Sequence, residues 1–428
     1  MRFRNKGLIA GNQSRADLAT RARVIATSRL LQKTPLLLQR VAAYVTLVDR
    51  TIVIEEILVR LPPKDVLRCR AVRKLWHSAT STNKFVLDNH CRQPSLPVIR
   101  QCIPGREGVG FVVFRDNGAM ASNQKLSPII RHSKLIKLMG ACDGLLILSS
   151  GSYFWICNPA TRKCAPLPQP RVQSSSPWGS DFYIAGFYRH QPSGEYRVLW
   201  FSYVCHRGYV LTVGSDKPRS ISRPSVSSRL PRYSCQDAFD SCYSSQLNHR
   251  GNLHWLTGIY METPVGIMVF DTVTETFRWM RSPDQLGCRL SLLEMDDKLA
   301  SCSSSNATIE IWVMQDYDAE DWALKYRINL LAMKTSPQFG LSVRFISKMA
   351  LLNQRELLTC SCTGPQGPDF LLHCDIDGMF LGYVEIKEAK HPVYFTNQYI
   401  QESLIPLPFS EMQEERFVYT EPPLSVGL

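Results

Sequence analysis

The side chains able to bind a metal, attack a carbonyl or carry a proton are numerous in this chain. They are not gathered at the spacings such chemistry requires. Nine histidines are scattered along it. His249 and His254 lie five apart on an expected hairpin, with no carboxylate or cysteine cluster at ligand spacing. His254 precedes Trp255 in a strand pattern and reads as a packed residue. Asp143-Gly144 and Asp271 could suggest paired carboxylates, but Asp and Gly beside strands form turns. There is no GxSxG elbow, HExxH, P-loop or Rossmann glycine pattern, and no RING-like array of Cys and His. No catalytic residue, metal ligand or cofactor-binding residue is assigned, and no cofactor is expected.

The fourteen cysteines contain no CxxC pair, and Cys360 and Cys362 alternate along an expected strand, facing one side. The charged N-terminus lacks the compact apolar core of a secretory leader. The cysteines therefore read as reduced thiols acting as small hydrophobes, in a cytoplasmic or nuclear protein.

What remains is the chemistry of recognition. In Thr51-Ile-Val-Ile-Glu-Glu-Ile-Leu-Val-Arg-Leu61, residues Ile54, Ile57, Leu58 and Leu61 fall at i, i+3, i+4 and i+7, one helical stripe. Pro62-Pro63 stops that helix, and proline suits the first turn of the next. A second stripe runs through Val66, Leu67, Cys69 and Val72, and a third through Ala71, Leu75, Trp76 and Ala79. Three short helices in so few residues cannot bury all their apolar surface, so a partner is expected to cover the remainder.

From about residue 96 the period changes to two. Gly110–Phe114, Gly144–Leu148, Tyr196–Phe201, Val265–Phe270, Ile309–Val313 and Phe370–Cys374 read as strands. Turns are expected at Asp116-Asn-Gly118, Ser193-Gly194, Asn248-His-Arg-Gly251, Asp296-Asp297 and Asp377-Gly378. A weak repeat is present: an apolar strand ends in Asn or Asp, turns, and returns. Trp155-Ile-Cys-Asn158 and Val269-Phe-Asp271 carry it, and Phe114-Arg-Asp116 and Cys374-Asp375 are looser copies. A period of about 40–50 suits propeller blades, which cannot bury both faces alone and stack around an axis. A two-sheet sandwich is the alternative. Ser/Pro/Arg-rich 215–242 and the shorter 172–180 read as loops.

The net charge of +13 points towards nucleic acid only until it is located. Residues 1–46 carry +8, residues 47–95 carry +4, and the remainder carries +1. A nucleic-acid-binding domain carries its own basic face, so the near-neutral β region argues against that class. No apolar run is long enough to span a bilayer. The Arg-rich 1–46 reads as a flexible basic extension, with an organelle transit peptide as the alternative.

Ile54-Glu-Glu-Ile-Leu-Val-Arg-Leu-Pro-Pro-Lys-Asp-Val-Leu-Arg-Cys-Arg-Ala-Val-Arg-Lys-Leu-Trp76 resembles an F-box. Family members usually open with Leu-Pro, and this chain has Leu47-Val48 there. Cys142-Asp-Gly-Leu-Leu146, Asn158-Pro-Ala-Thr-Arg162, Gly186-Phe-Tyr188, Leu253-His-Trp-Leu256, Val269-Phe-Asp271 with Phe277, and Ile311-Trp-Val-Met314 follow in an order that resembles the F-box-associated domain of plant F-box proteins. The resemblance implies a mainly β protein with a small N-terminal α module: a three-helix F-box at 47–95, a β-propeller-like domain at 96–410 and a tail at 411–428. It also implies a non-catalytic adaptor. The F-box would dock on a Skp-type linker, and through it a cullin, in an SCF cullin–RING ubiquitin ligase. The β domain would hold an unknown protein substrate. The docking positions it implies are Ile57, Leu58, Leu61, Pro62, Val66, Leu67, Val72 and Trp76. The alternative is a β-propeller-like interaction scaffold not engaged with a ligase.

Overall fold

The computed structural model describes residues 53–408, apart from 103–108, 116–124, 133–135, 152, 171–181, 203–207, 216, 223–245, 258–265, 284–288, 306–307, 330–344, 354, 363–369 and 385–392. The basic extension 1–46, the Leu47-Val48 departure, the turn Asp116-Asn-Gly118, the tail 411–428, and most of the two Ser-rich loops fall outside the described residues.

The described residues form two compact units. One runs to Pro94 and includes Glu402–Ile405 from the far end of the chain; the other spans Ser95–Gln401. The first is helical, with α1 (Pro63–Val72), α2 (Lys74–Thr80) and α3 (Asn83–His90). The second is all β. Six four-stranded antiparallel sheets make a six-bladed propeller, which excludes the sandwich.

Blade one takes Val393–Gln401, Ser95–Cys102, Val109–Arg115 and Lys125–His132. Blade two takes Lys137–Cys142, Leu145–Ser150, Tyr153–Asn158 and Lys163–Pro166, and blade three Phe182–Arg189, Tyr196–Ser202, Gly208–Thr212 and Arg219–Ile221. Blade four takes Leu247–His249, Asn252–Thr257, Gly266–Asp271 and Thr276–Arg281, and blade five Arg289–Met295, Lys298–Ser305, Thr308–Asp316 and Asp321–Asn329. Blade six takes Phe345–Asn353, Glu356–Cys362, Phe370–Asp375 and Phe380–Val384. The last described strand pairs antiparallel with the first, Ile400 opposite Leu96, and so closes the ring.

Apolar clusters lie between successive blades, which is why runs such as Leu145–Leu148 are buried on both faces. Val98, Phe111 and Val113 of blade one meet Leu146, Leu148 and Trp155 of blade two. Phe154 packs edge-on to Trp200, 4.9 Å between centroids, joining blades two and three. Tyr188 and Phe201 meet Leu253 and Phe270 between three and four; Ile267 and Val269 meet Leu292 and Leu299 between four and five. Ile309 and Ile311 meet Leu357 and Leu372 between five and six, and Leu358 and Leu371 meet Ile99 and Phe395 at the closure. At Gly186 a Cβ would lie 2.6 Å from Leu253 Cδ1, so glycine is what lets blades three and four approach.

The repeated turn has a common mechanism. Asn158 Oδ1 accepts from the amides of Ala160 and Thr161, Asp271 Oδ1 from Val273 and Thr274, Asp316 Oδ1 from Asp318 and Ala319, and Asp375 Oδ1 from Asp377 and Met379. Each joins the third and fourth strands of a blade. Four residues on, Arg162, Glu275 and Glu320 take the left-handed conformation, with φ of 58°, 55° and 56°. Asp316 is a further copy of the repeat, marked in sequence by Gln315-Asp316 at the end of an apolar strand. The first and second strands join through tight turns with two positive φ values, at Asp143-Gly144, Arg250-Gly251 and Asp296-Asp297. Strands alternate in direction, so both sets of turns lie at one end of the propeller.

Two expectations are corrected. The stripe through Ile54 and Leu61 is not a regular α-helix among the described residues: Val53–Ile57 is a wide π turn and Leu58–Arg60 a tight 3-10 turn, and α3 is a further helix. The cysteines are not all thiols, since Cys157 and Cys164, directly opposite on paired strands of blade two, are joined as a disulfide. Cys69, Cys302 and Cys374 are free, buried thiols. Burial, with a smaller contribution from Asp65, raises Cys69 to about 11, and burial followed by Asp375 raises Cys374 to about 12, so both stay protonated.

Candidate protein-docking site

The helical unit is built by punctuation. Pro62 and Pro63 set the entry to α1, where the missing N–H of proline costs no hydrogen bond. Arg73, with extended backbone at φ −148° and ψ 127°, ends α1 and begins α2, so the two helices meet at a sharp corner. Thr82 caps α3 by accepting from the Phe85 amide at 3.3 Å.

Buried polar side chains then lock the corner. The Thr80 hydroxyl donates to the Trp76 carbonyl at 2.6 Å and accepts from Arg70 Nε at 3.0 Å. Burial disfavours the charged form of Arg70 and lowers its pKa, while its guanidinium also reaches the Thr80 carbonyl. Asn89 Nδ2 donates to the carbonyls of both Val59 and Leu61, each at 2.8 Å, and Gln93 Nε2 adds a second donor to Leu61 at 3.1 Å. His90 Nδ1 donates to the Glu402 carbonyl at 3.2 Å. None of Arg70, Thr80, Asn89 or Gln93 was legible as a site residue; a carboxamide's partner 30 residues away leaves no local signal.

The eight sequence-derived docking positions separate into three groups. Leu58, Leu61, Val66 and Trp76 are buried, at 0–4% exposure. Ile57, Pro62 and Leu67 are half-buried. Val72 is open at 43%, and so are Leu75 at 39% and Leu87 at 36%, neither of which the motif had singled out. Among the described residues, the large exposed apolar side chains of this unit thus sit on all three helices, one on each.

One perturbed polar cluster of the propeller lies at the boundary of blades four and five. His254 is fully buried; its Nδ1 donates to the Leu247 carbonyl at 3.4 Å, which leaves Nε2 to accept from the Tyr317 hydroxyl at 2.8 Å. Desolvation, and then the neighbouring His249, bring its pKa down to about 3, so the ring is neutral. His249 Nδ1 meets Glu294 Oε1 at 3.0 Å, and Arg250 and Arg278 stand 5.2 and 5.3 Å from the Tyr317 ring. Between blades three and four, buried Glu275 accepts from the Tyr188 hydroxyl at 3.0 Å and Arg197 Nη1 at 2.6 Å, and pairs with Arg219. These contacts pin blades together. Among the described residues no group of three His, Cys, Asp or Glu side chains could hold a metal, and no helix is long and apolar enough to cross a membrane.

A family model described as the F-box associated beta propeller domain matches residues 112–404. F-box protein At5g18160 of Arabidopsis thaliana is 25% identical over 276 residues, covering 63% of this chain and 67% of that protein. Putative F-box protein At4g21240 of the same plant is 24% identical over 290 residues, covering 64% and 66%. F-box protein At5g65850 is 24% identical over 328 residues, covering 73% and 79%. The matches thus span about two thirds or more of these relatives. The β-propeller domain of Cps50 (Swd1) from a solved structure aligns over 68% of this chain and 90% of that one, at 9% identity and a TM-score of 0.35, which carries no argument.

Proposed function

This chain belongs to the F-box associated β-propeller family, and from that premise we propose that it is a non-catalytic substrate-recognition subunit of an SCF cullin–RING ubiquitin ligase. Its helical unit docks on a Skp-type linker, and through it a cullin. Its propeller holds a protein substrate, in the cytoplasm or nucleus.

The observation that carries the docking reading is the apolar surface left open on the helical unit: Val72, Leu75 and Leu87, beside the half-buried Ile57, Pro62 and Leu67. Full cover of an aliphatic side chain contributes roughly 1.5–3 kcal/mol. The buried members, Leu58, Leu61, Val66 and Trp76, act by holding the helices that present this surface. The substrate is expected on loops between strands at one end of the propeller, because connections on a rigid scaffold carry recognition.

Titration of the purified full-length chain against a Skp-type linker tests docking. Val72→Asp with Leu75→Asp is expected to abolish binding without lowering the propeller's melting temperature. Wild-type binding by that double variant sinks the reading. The second reading is an interaction scaffold that does not engage a ligase, and the sealing of four of the eight docking positions favours it. It predicts that the wild-type chain itself fails to bind the linker.

A further inference from the structure

The helical unit contains one feature that the docking motif does not: a carboxamide clamp on the turn preceding Pro62. Asn89 supplies both donors of one amide to the carbonyls of Val59 and Leu61, and Gln93 reaches Leu61 and the Asn89 carbonyl, each at 3.1 Å. Phe85, Asn89 and Gln93 are spaced by four, a single stripe along and beyond α3, and all three are buried. The neighbouring stripe is Val86 and His90, both buried, and His90 holds the Glu402 carbonyl. The segment that follows Glu402 is buried too: Ser403 at 0%, Leu404 at 4% and Ile405 at 7% exposure. These residues group with the helices although more than 300 positions separate them in sequence.

We infer that Asn89, Gln93 and the return segment Glu402–Ile405 are positioning residues for the docking turn, so that the far end of the chain sets how much of the helical unit is competent to bind. The inference rests on the docking reading above. Its physical basis is that the turn Leu58–Leu61 has little regular helix to hold it. Its carbonyls are satisfied by side chains of α3 and the residues after it, and α3 is held in turn by the return segment. Loosening the clamp lowers the competent fraction and so the apparent affinity, and it touches no partner atom. Positioning therefore slows association and leaves dissociation unchanged, whereas loss of a contact residue speeds dissociation.

The test uses the full-length chain and a purified Skp-type linker, with kon and koff measured separately. Amide hydrogen exchange at Leu61, Asp65 and Val66 is followed on the free chain, because their hydrogen bonds lie in and just after the turn. Asn89→Ala and Leu404→Asp are expected to slow association about tenfold, keep koff, and speed exchange at these amides. Val72→Asp is expected to raise koff with wild-type exchange. If Leu404→Asp does not fold, Leu404→Ala replaces it. Unchanged kon in both positioning variants, or a change confined to koff, overturns the inference. Should the wild-type chain not bind the linker, the docking reading falls by itself. The exchange measurement still decides whether the clamp holds the turn, and wild-type exchange in both variants overturns it.

Discussion

The propeller and the helical unit hold themselves together by opposite strategies. The propeller is redundant: its interblade clusters have the same kind of composition, and one turn device recurs at Asn158, Asp271, Asp316 and Asp375. The helical unit is singular. Its corner depends on one threonine and one arginine, its first turn on one asparagine and one glutamine, and its third helix meets a segment from the far end of the chain. Damage to one blade boundary weakens a ring that other boundaries still hold. Loss of one tether in the helical unit has no second copy to offset it.

Four substitutions or conditions sharpen that contrast. Trp200→Ala removes a fully buried ring at the boundary of blades two and three and is expected to cost about 3–5 kcal/mol, read as a lower Tm of the propeller transition. If the helical signal shifts by the same amount, the two units do not melt separately and the contrast is lost.

The second is a pH effect. His254 is held neutral in the fold with a pKa near 3, below its unfolded value of about 6.5. As pH falls below 6.5 the unfolded chain binds a proton that the folded chain refuses, so stability falls with it. Roughly 2 kcal/mol is expected to go between pH 6.5 and 4.5 in chemical denaturation of the propeller, and His254→Phe should flatten that slope. A slope left intact in the variant assigns the effect to other groups.

Thr80→Val in the helical unit leaves the guanidinium nitrogen of Arg70 without its hydroxyl partner and is expected to cost about 1–3 kcal/mol, seen in far-ultraviolet circular dichroism of the helices. Asp271→Ala removes one of the recurring turn anchors and is expected to cost about 1 kcal/mol of propeller stability. The comparison breaks if the turn substitution outweighs the threonine one, since the repeated device would then be the less tolerant of the two.

Much of the propeller was legible because its code is local. An apolar run ending in Asn158 or Asp271 announces a strand and the turn that follows, since the carboxamide or carboxylate satisfies amides two and three residues on. Asp316 is less legible because Tyr317-Asp-Ala-Glu320 lacks the threonine that follows Asn158 and Asp271. The number of blades was not legible: in blade three the corresponding turn runs through Gly214 and Ser215, where a serine hydroxyl accepts from the Lys217 amide at 3.2 Å.

The amino-acid order alone determined the change of period near residue 96, the Pro62-Pro63 break, the tight turns and the apolar stripes, because each depends on dihedral preferences and spacing within a few residues. Only the tertiary structure decided which docking residues are sealed and which stay open. Trp76 and Val72 read alike on a stripe, yet burial depends on what packs against each face. The tertiary structure also decided that Glu402–Ile405 returns to the helices and that Asn89 grips a turn 30 residues earlier, because such contacts are set by chain closure in space and leave no mark on their neighbours in sequence.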